Sequence, residues 1–188
     1  MSGLDFGQLL LVALGLSADC FAVSLGLGAS GFKSSVPAML RVGISFGFFQ
    51  AVMPALGWLF GNSLVTLVAP LASWIAFVLL AIIGGRMLWE GIRNSGHQNK
   101  PGDYTRGWLL VSLAVATSID AMAAGISFSM IGQPLQSAIP VIGITAFTAS
   151  VAGYIIGNRS GRLLGRWALV LGGLALISIG LNMVTGIL

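Results

Sequence analysis

The sequence predicts an all-α integral membrane protein of six transmembrane helices, arranged as two three-helix repeats of inverted topology. Three observations lead there. Of the 188 residues, 56% are hydrophobic and only 7% charged, with a mean hydropathy of +0.97. A soluble domain usually carries about a quarter charged residues, and this chain could not solvate such a surface. Six apolar runs are each long enough to cross a hydrocarbon core, which takes about 20 helical residues. The nine Lys and Arg residues all fall in or beside alternate connections between those runs.

The first run, residues 7–29, contains LGLSADCFAV and places Asp19 near its middle. It lacks a basic leader and a small-residue cleavage pattern, so it reads as a retained helix rather than a signal peptide. The second run, 39–61, contains FGFFQAVMPALGW. Pro54 has no amide hydrogen, so the carbonyl of Gln50 loses its helical donor. Gln50 therefore offers a backbone oxygen and an amide oxygen near mid-membrane. The simpler alternative is a helix bent by Pro54, with the Gln50 amide satisfied by a neighbour.

The third run, 70–91, ends on Arg86 and Glu90 at i, i+4 spacing, a local ion pair easing burial or, secondarily, a gate. A polar cytoplasmic linker of about residues 93–106 follows, holding His97 and a single acid, Asp103. The fourth run, 107–131, contains VATSIDAMAA and again places an aspartate, Asp120, about midway. The fifth, 136–157, lacks the mid-membrane proline but sets Thr145, Thr148 and Ser150 in the related region. The sixth is 167–187. Trp58, Trp74, Trp89, Trp108 and Trp167 lie near run ends, where tryptophans anchor helices at the interface.

Charge sets the orientation. Lys33 and Arg41 lie between the first and second runs. Arg93, Lys100 and Arg106, with Arg86, lie at the third connection, and Arg159, Arg162 and Arg166 lie at the fifth. The positive-inside rule makes that side cytoplasmic and places both termini on the periplasmic or extracellular side. The same distribution accounts for the net charge of +4 without a nucleic-acid partner. Cys20 is the only cysteine, which excludes an intramolecular disulfide framework.

The two aspartates belong to a repeat. A shift of 101 lays Ser17 on Ser118, Asp19 on Asp120 and Ala22 on Ala123. A shift of 96 lays GWLFGN (57–62) on GYIIGN (153–158), and one of 95 lays LLAIIGGRMLWEGI (79–92) on LALISIGLNMVTGI (174–187). Three successive runs thus align in order with three others: repeat one covers about residues 4–92, repeat two about 107–188, within a single membrane domain. Because three is odd, the second unit enters from the opposite side, which gives a pseudo-twofold axis in the membrane plane. That axis maps Asp19 onto Asp120 near the bilayer midplane. The two acids then form halves of one site.

A carboxylate at the bilayer centre costs about 2.5–3.5 kcal/mol on insertion scales and is expected to face the protein interior or water. Small residues share the helix faces of both acids: Gly15, Ala22 and Gly26 with Asp19, and Ala116, Ala123, Ala124 and Ser127 with Asp120. They let helices approach and leave room. They could also serve packing alone, with the acids bonded to nearby hydroxyls. Two carboxylates, the oxygens of Gln50 and the hydroxyls of Ser17, Thr117 and Ser118, with Thr148 further out, make a hard oxygen set. It suits Mg²⁺, Mn²⁺ or Ca²⁺ better than copper or a thiolate-held zinc. Cys20 and Met122 are packing residues on this reading, and no His lies in a run.

The pieces LGLSADCFAVSLGLG, FFQAVMPALGW, WIAFVLLAIIGGRMLWEGI and ATSIDAMAAGI resemble the bacterial manganese efflux pump family, within the broader lysine-exporter-like superfamily. They span nearly the whole chain, in order. The resemblance implies six helices in the cell inner membrane, export of Mn²⁺ from the cytoplasm as part of metal homeostasis, and Asp19 and Asp120 as the functional acids. Some members of that family carry Glu where this chain has Gln50, so one charge is missing here. The linker, with Asp103 alone, does not support an acidic regulatory loop.

The expected function is therefore secondary transport of a divalent cation, not enzymatic catalysis. The partners are Mn²⁺ as substrate and the lipid bilayer, with no cofactor and no nucleotide: the chain has no nucleotide-binding motif. Two close carboxylates would share protons when empty, which makes proton counter-transport a plausible drive. An amino-acid exporter of the wider superfamily is the nearer rival, its acids binding an ammonium group. An intramembrane aspartyl protease is a remote one, since neither Asp19 nor Asp120 sits in a Gly-x-Gly-Asp context.

Overall fold

The computed structural model describes residues 4–29, 35–60, 107–164 and 166–185, with Thr105 and separate positions from 74 to 92. Every element among them is helical. In chain order they are α1 (Phe6–Ala29), α2 (Val36–Phe60), α3 (Trp108–Ala116), α4 (Ile119–Ile131), α5 (Leu135–Leu164) and α6 (Arg166–Thr185). The described positions of the third apolar run are helical as well. Leu, Ala, Val and Ile dominate these segments, and in lipid a helix satisfies its own backbone polar groups. Among the described residues, α1, α2 and α5 are long and apolar enough to cross a membrane. A fourth span is added if α3 and α4, bent by 40° at their junction, count as one.

Two features depart from the apolar pattern. The fourth run is not one continuous helix: it breaks at Thr117–Ser118, two residues before Asp120. The fifth helix runs on to Leu164, so Arg159 and Arg162 extend a helix rather than occupy a loop. Hydropathy measures the length that crosses lipid, and a helix can continue beyond it. The turn between α4 and α5 is set by Gly132, whose φ is 70°. The Gln133 amide returns to the Phe128 carbonyl (2.9 Å) and the Gly132 amide to that of Ser129 (3.3 Å). This closes the helix in a Schellman motif, which favours glycine at the left-handed position.

α1 packs chiefly along α5, while α2 packs against both α5 and α4. The approaches are close enough to need glycine. A Cβ on Gly57 would run into the Met122 carbonyl, and one on Gly153 into the Phe21 carbonyl. These two contacts correspond, since Gly153 lies 96 residues after Gly57 and Met122 lies 101 after Phe21. Gly47 of α2 likewise meets Gly143 of α5 backbone to backbone; Gly47 packs on Phe147 and Gly143 on Ala51. Each of these partners is again 96 residues from its counterpart (47 to 143, 51 to 147).

The apolar interior falls into two clusters. One gathers Cys20, Val23 and Leu27 of α1, Ala38, Val42 and Phe46 of α2, Leu110, Leu113 and Ala114 of α3, Ala146 and Tyr154 of α5, and Leu176 of α6. The other gathers Leu9, Ala13 and Leu16 of α1, Ala121 and Phe128 of α4, and Ala138 and Ile142 of α5. The same offsets carry residues of one cluster into the other: Leu9 to Leu110, Cys20 to Ala121, Leu27 to Phe128, Phe46 to Ile142. The boundary between the clusters crosses α1 between Leu16 and Cys20, and it crosses the broken helix between Ala114 and Ala121. At the two ends of the bundle, Arg41 reaches Thr105 through its carbonyl (3.2 Å) and hydroxyl (3.0 Å). The Leu4 amide bonds to the Gln133 side chain.

Candidate functional site

Ser17, Asp19, Gln50, Thr117, Ser118 and Asp120 lie at the boundary between the two apolar clusters. The break creates half of that layer. Thr117 keeps its amide bond to the Leu113 carbonyl (2.9 Å), but the Ser118 amide turns back to Val115 (3.1 Å). The Ala114 carbonyl, which Ser118 would have capped in a continuous helix, accepts the Ser118 hydroxyl at 2.7 Å and the Thr117 hydroxyl at 3.2 Å instead. The Thr117 hydroxyl also lies 3.0 Å from the Leu113 carbonyl. Hydroxyl side chains thus satisfy backbone that the bend would orphan, which is how an interrupted helix survives at membrane depth. Asp120 falls in the first turn of α4, where the helix end carries partial positive charge. Its Oδ1 accepts the Ala121 amide at 2.9 Å.

α1 and α2 supply the other half. Asp19 is half-buried on α1. Gln50 is fully buried, and its Nε2 donates to the Leu16 carbonyl at 2.7 Å. Its Oε1 is buried without a hydrogen-bond partner. A buried unmatched acceptor is costly, so an oxygen held this way invites a ligand or a donor. Asp19 lies one residue before Cys20 on α1, and Asp120 two residues after Ser118 at the break. The Cys20 thiol contacts the Thr117 hydroxyl at 4.0 Å, tying α1 to the break. Asp120 is crowded by protein yet keeps an exposed face. Gly15 has open space where a Cβ would stand, and Ala123 and Ser127 are exposed.

The remaining expected residues divide. Ser17 is buried and bonds the Ala13 carbonyl at 2.6 Å, the counterpart of the Ser118–Ala114 bond. Thr148 is exposed, its hydroxyl returned to Ile144 and Thr145 of its own helix at 2.9 Å each. On α5 the inward hydroxyl is instead that of Ser150, fully buried with no partner. Arg86 and Glu90 lie outside the described residues. Among the described residues no group of three or more His, Cys, Asp and Glu side chains is placed to hold a metal ion. A cation in this layer would therefore be balanced by two carboxylates, and neutral oxygens or water would complete its shell.

The break and the Cys20–Thr117 contact are not features that the apolar pattern predicts. The signal for the break was present in the adjacent hydroxyls of Thr117 and Ser118, followed by an acid, which is helix-start chemistry inside an apolar run.

Residues 33–184 match the family described as "Putative manganese efflux pump" (Mntp). The chain belongs to this family. It is 43% identical over 178 residues to the "Putative manganese efflux pump MntP" of Methanoregula boonei, covering 95% of each chain. It is 39% identical over 188 residues to "Putative manganese efflux pump MntP 2" of Clostridium botulinum strain Hall, covering 95% of this chain and 94% of the relative. A Dehalococcoides mccartyi relative of the same description is 40% identical over 176 residues, with 93% and 91% covered. No solved structure matches.

Proposed function

We propose that this chain is a secondary transporter of the cell inner membrane that exports Mn²⁺ from the cytoplasm. Its substrate site would lie at the midplane between Asp19 and Asp120, with Gln50 as a neutral third ligand. The names of the relatives support the metal and the direction. The observation that carries the site is the placement of Asp19 and Asp120, 101 residues apart, at the boundary of two apolar clusters, where the Cys20–Thr117 contact joins α1 to the break beside Asp120. The matched contacts of Gly57 with Met122 and Gly153 with Phe21, and of Gly47 with Gly143, favour an inverted repeat. Discontinuous helices whose ends face the substrate are a recurring device of such transporters. Ser17, Thr117 and Ser118 hold the carbonyls around the acids, so they orient the site rather than touch the ion. Protons moving inward on the emptied carboxylates would drive export.

The deciding experiment is flux in proteoliposomes carrying a trapped pH dye. Mn²⁺ uptake that moves the dye supports the proposal. Transport of a basic amino acid without Mn²⁺ flux would favour the exporter reading instead, in which the acids hold an ammonium group.

Orientation follows from the basic connections and has its own test. In a Cys20-free background, cysteines at Ser95 and Ser160 are expected to resist an impermeant thiol reagent added to intact cells, and one at Ser63 to react. Labelling of Ser95 and Ser63 from the same side would contradict the inverted repeat.

Gln50 makes a separate prediction. Gln50→Ala removes the buried Oε1 and the bond to Leu16, so Mn²⁺ flux is expected to fall about tenfold while folded protein persists. Pro54→Ala restores a donor to the Gln50 carbonyl and is expected to lower flux less. Wild-type flux in both variants would remove α2 from the site.

A further inference from the structure

The two halves of the site are not in the same conformation, and the difference lies at matching residues. The α3–α4 pair is broken at Thr117–Ser118, whereas α1 runs unbroken from Phe6 to Ala29 through the corresponding Leu16–Ser17 (16 and 17, shifted by 101). Yet α1 already holds the bonds that a break needs. The Ser17 hydroxyl caps the Ala13 carbonyl at 2.6 Å, as the Ser118 hydroxyl caps Ala114 at 2.7 Å. Leu16 has no hydroxyl where Thr117 has one, but the Leu16 carbonyl accepts the Gln50 amide at 2.7 Å. In a straight helix that carbonyl is already matched by the Cys20 amide. The Gln50 bond therefore gives it a second donor, one that would remain if the helical bond opened.

The local sequence weakens α1 at the same place. Gly15 corresponds to Ala116, and a Cβ there would meet nothing within 4 Å. Glycine in a helix interior is unfavourable relative to alanine, and no packing requirement explains it here. A closed hinge with its carbonyls capped in advance does.

We infer that α1 carries a second, latent break at Leu16–Ser17, and that the transporter passes to its opposite-facing state by opening this break while α3 and α4 straighten. The inference rests on the inverted-repeat reading: the pseudo-twofold axis turns one bent and one straight helix into their exchange. Gln50 then acts as a positioning residue for the α1 hinge as well as facing the site.

Spin-label distances test this in full-length protein with Cys20 replaced by Ala. Leu11 and Leu59 report the outer arm of α1, and Trp108 and Val36 report α3; all four are well exposed. A bend of the 40° seen at the existing break would move Leu11 by on the order of 5 Å. Each pair is expected to show two distance populations whose proportions agree and shift together when Mn²⁺ is added. Gly15→Ala is expected to shrink the second Leu11–Leu59 population about two- to fivefold, the factor given by alanine's helix preference. A single Leu11–Leu59 distance with and without Mn²⁺ overturns the hinge, whatever the α3 pair does. A second population that Gly15→Ala leaves unchanged overturns it too. Failure of the repeat itself would appear separately, as labelling of Ser63 and Ser95 from one side.

Discussion

Asp19→Asn and Asp120→Asn are each expected to reduce Mn²⁺ efflux by on the order of a hundredfold or more, with membrane abundance little changed. Asparagine keeps the shape and one oxygen but removes a charge. A divalent cation leaving water for the layer between the two clusters would then be balanced by one carboxylate. Removing one partner of a desolvated charge pair typically costs about 3–5 kcal/mol. No third acid among the described residues stands near enough to compensate. The double variant is expected to be no worse than either single one, because in a shared site the two side chains would act as a unit and their effects would not add. Flux in proteoliposomes, read beside a blot for abundance, measures this. Near-normal efflux in both single variants would end the shared-site mechanism, and additive losses would separate the acids into two sites.

How much of this was legible in the sequence follows from what each signal measures. Composition and hydropathy report solvation, and they located the apolar runs that α1, α2 and α5 occupy. The expectation of a repeat rests on Ser17-x-Asp19 and Ser118-x-Asp120, where the residues are chemically unusual for lipid. Hydropathy could not show the break at Thr117–Ser118, because two hydroxyls hardly change the mean of an apolar run. Their order, two hydroxyls followed by an acid, carries the signal, and their capping of Leu113 and Ala114 shows its effect. It also could not choose among Thr145, Thr148 and Ser150. Their difference is rotational: Thr148 faces outward and Ser150 inward, and helix phase is set by what α5 packs against. Gln50 was legible as a polar residue near a proline. Its Nε2 bond to Leu16, 34 residues away, is a tertiary fact that periodicity does not contain.

The second large effect concerns packing. Gly57→Ala and Gly125→Ala are expected to lower the yield of folded protein in the membrane at least tenfold, and Gly15→Ala to leave it near the wild-type level. At the crossing of α2 and α4, a Cβ on Gly125 would run into the Pro54 carbonyl, and one on Gly57 into the Met122 carbonyl. Both obstacles are backbone, which a rotamer change cannot move, so the helices would have to separate. Membrane helices have no hydrophobic drive to reassociate and depend on close van der Waals fit, and overpacking a fitted interface costs about 1–3 kcal/mol. This crossing also sets the position of α4 and thus of Asp120, so residual protein is expected to transport poorly as well. Gly15 is the matched control because its added methyl meets nothing. Detergent-solubilised yield and thermal melting compare the three. Wild-type melting for Gly57→Ala and Gly125→Ala would mean that α2 and α4 do not touch at these residues, and Asp120 would then need another support.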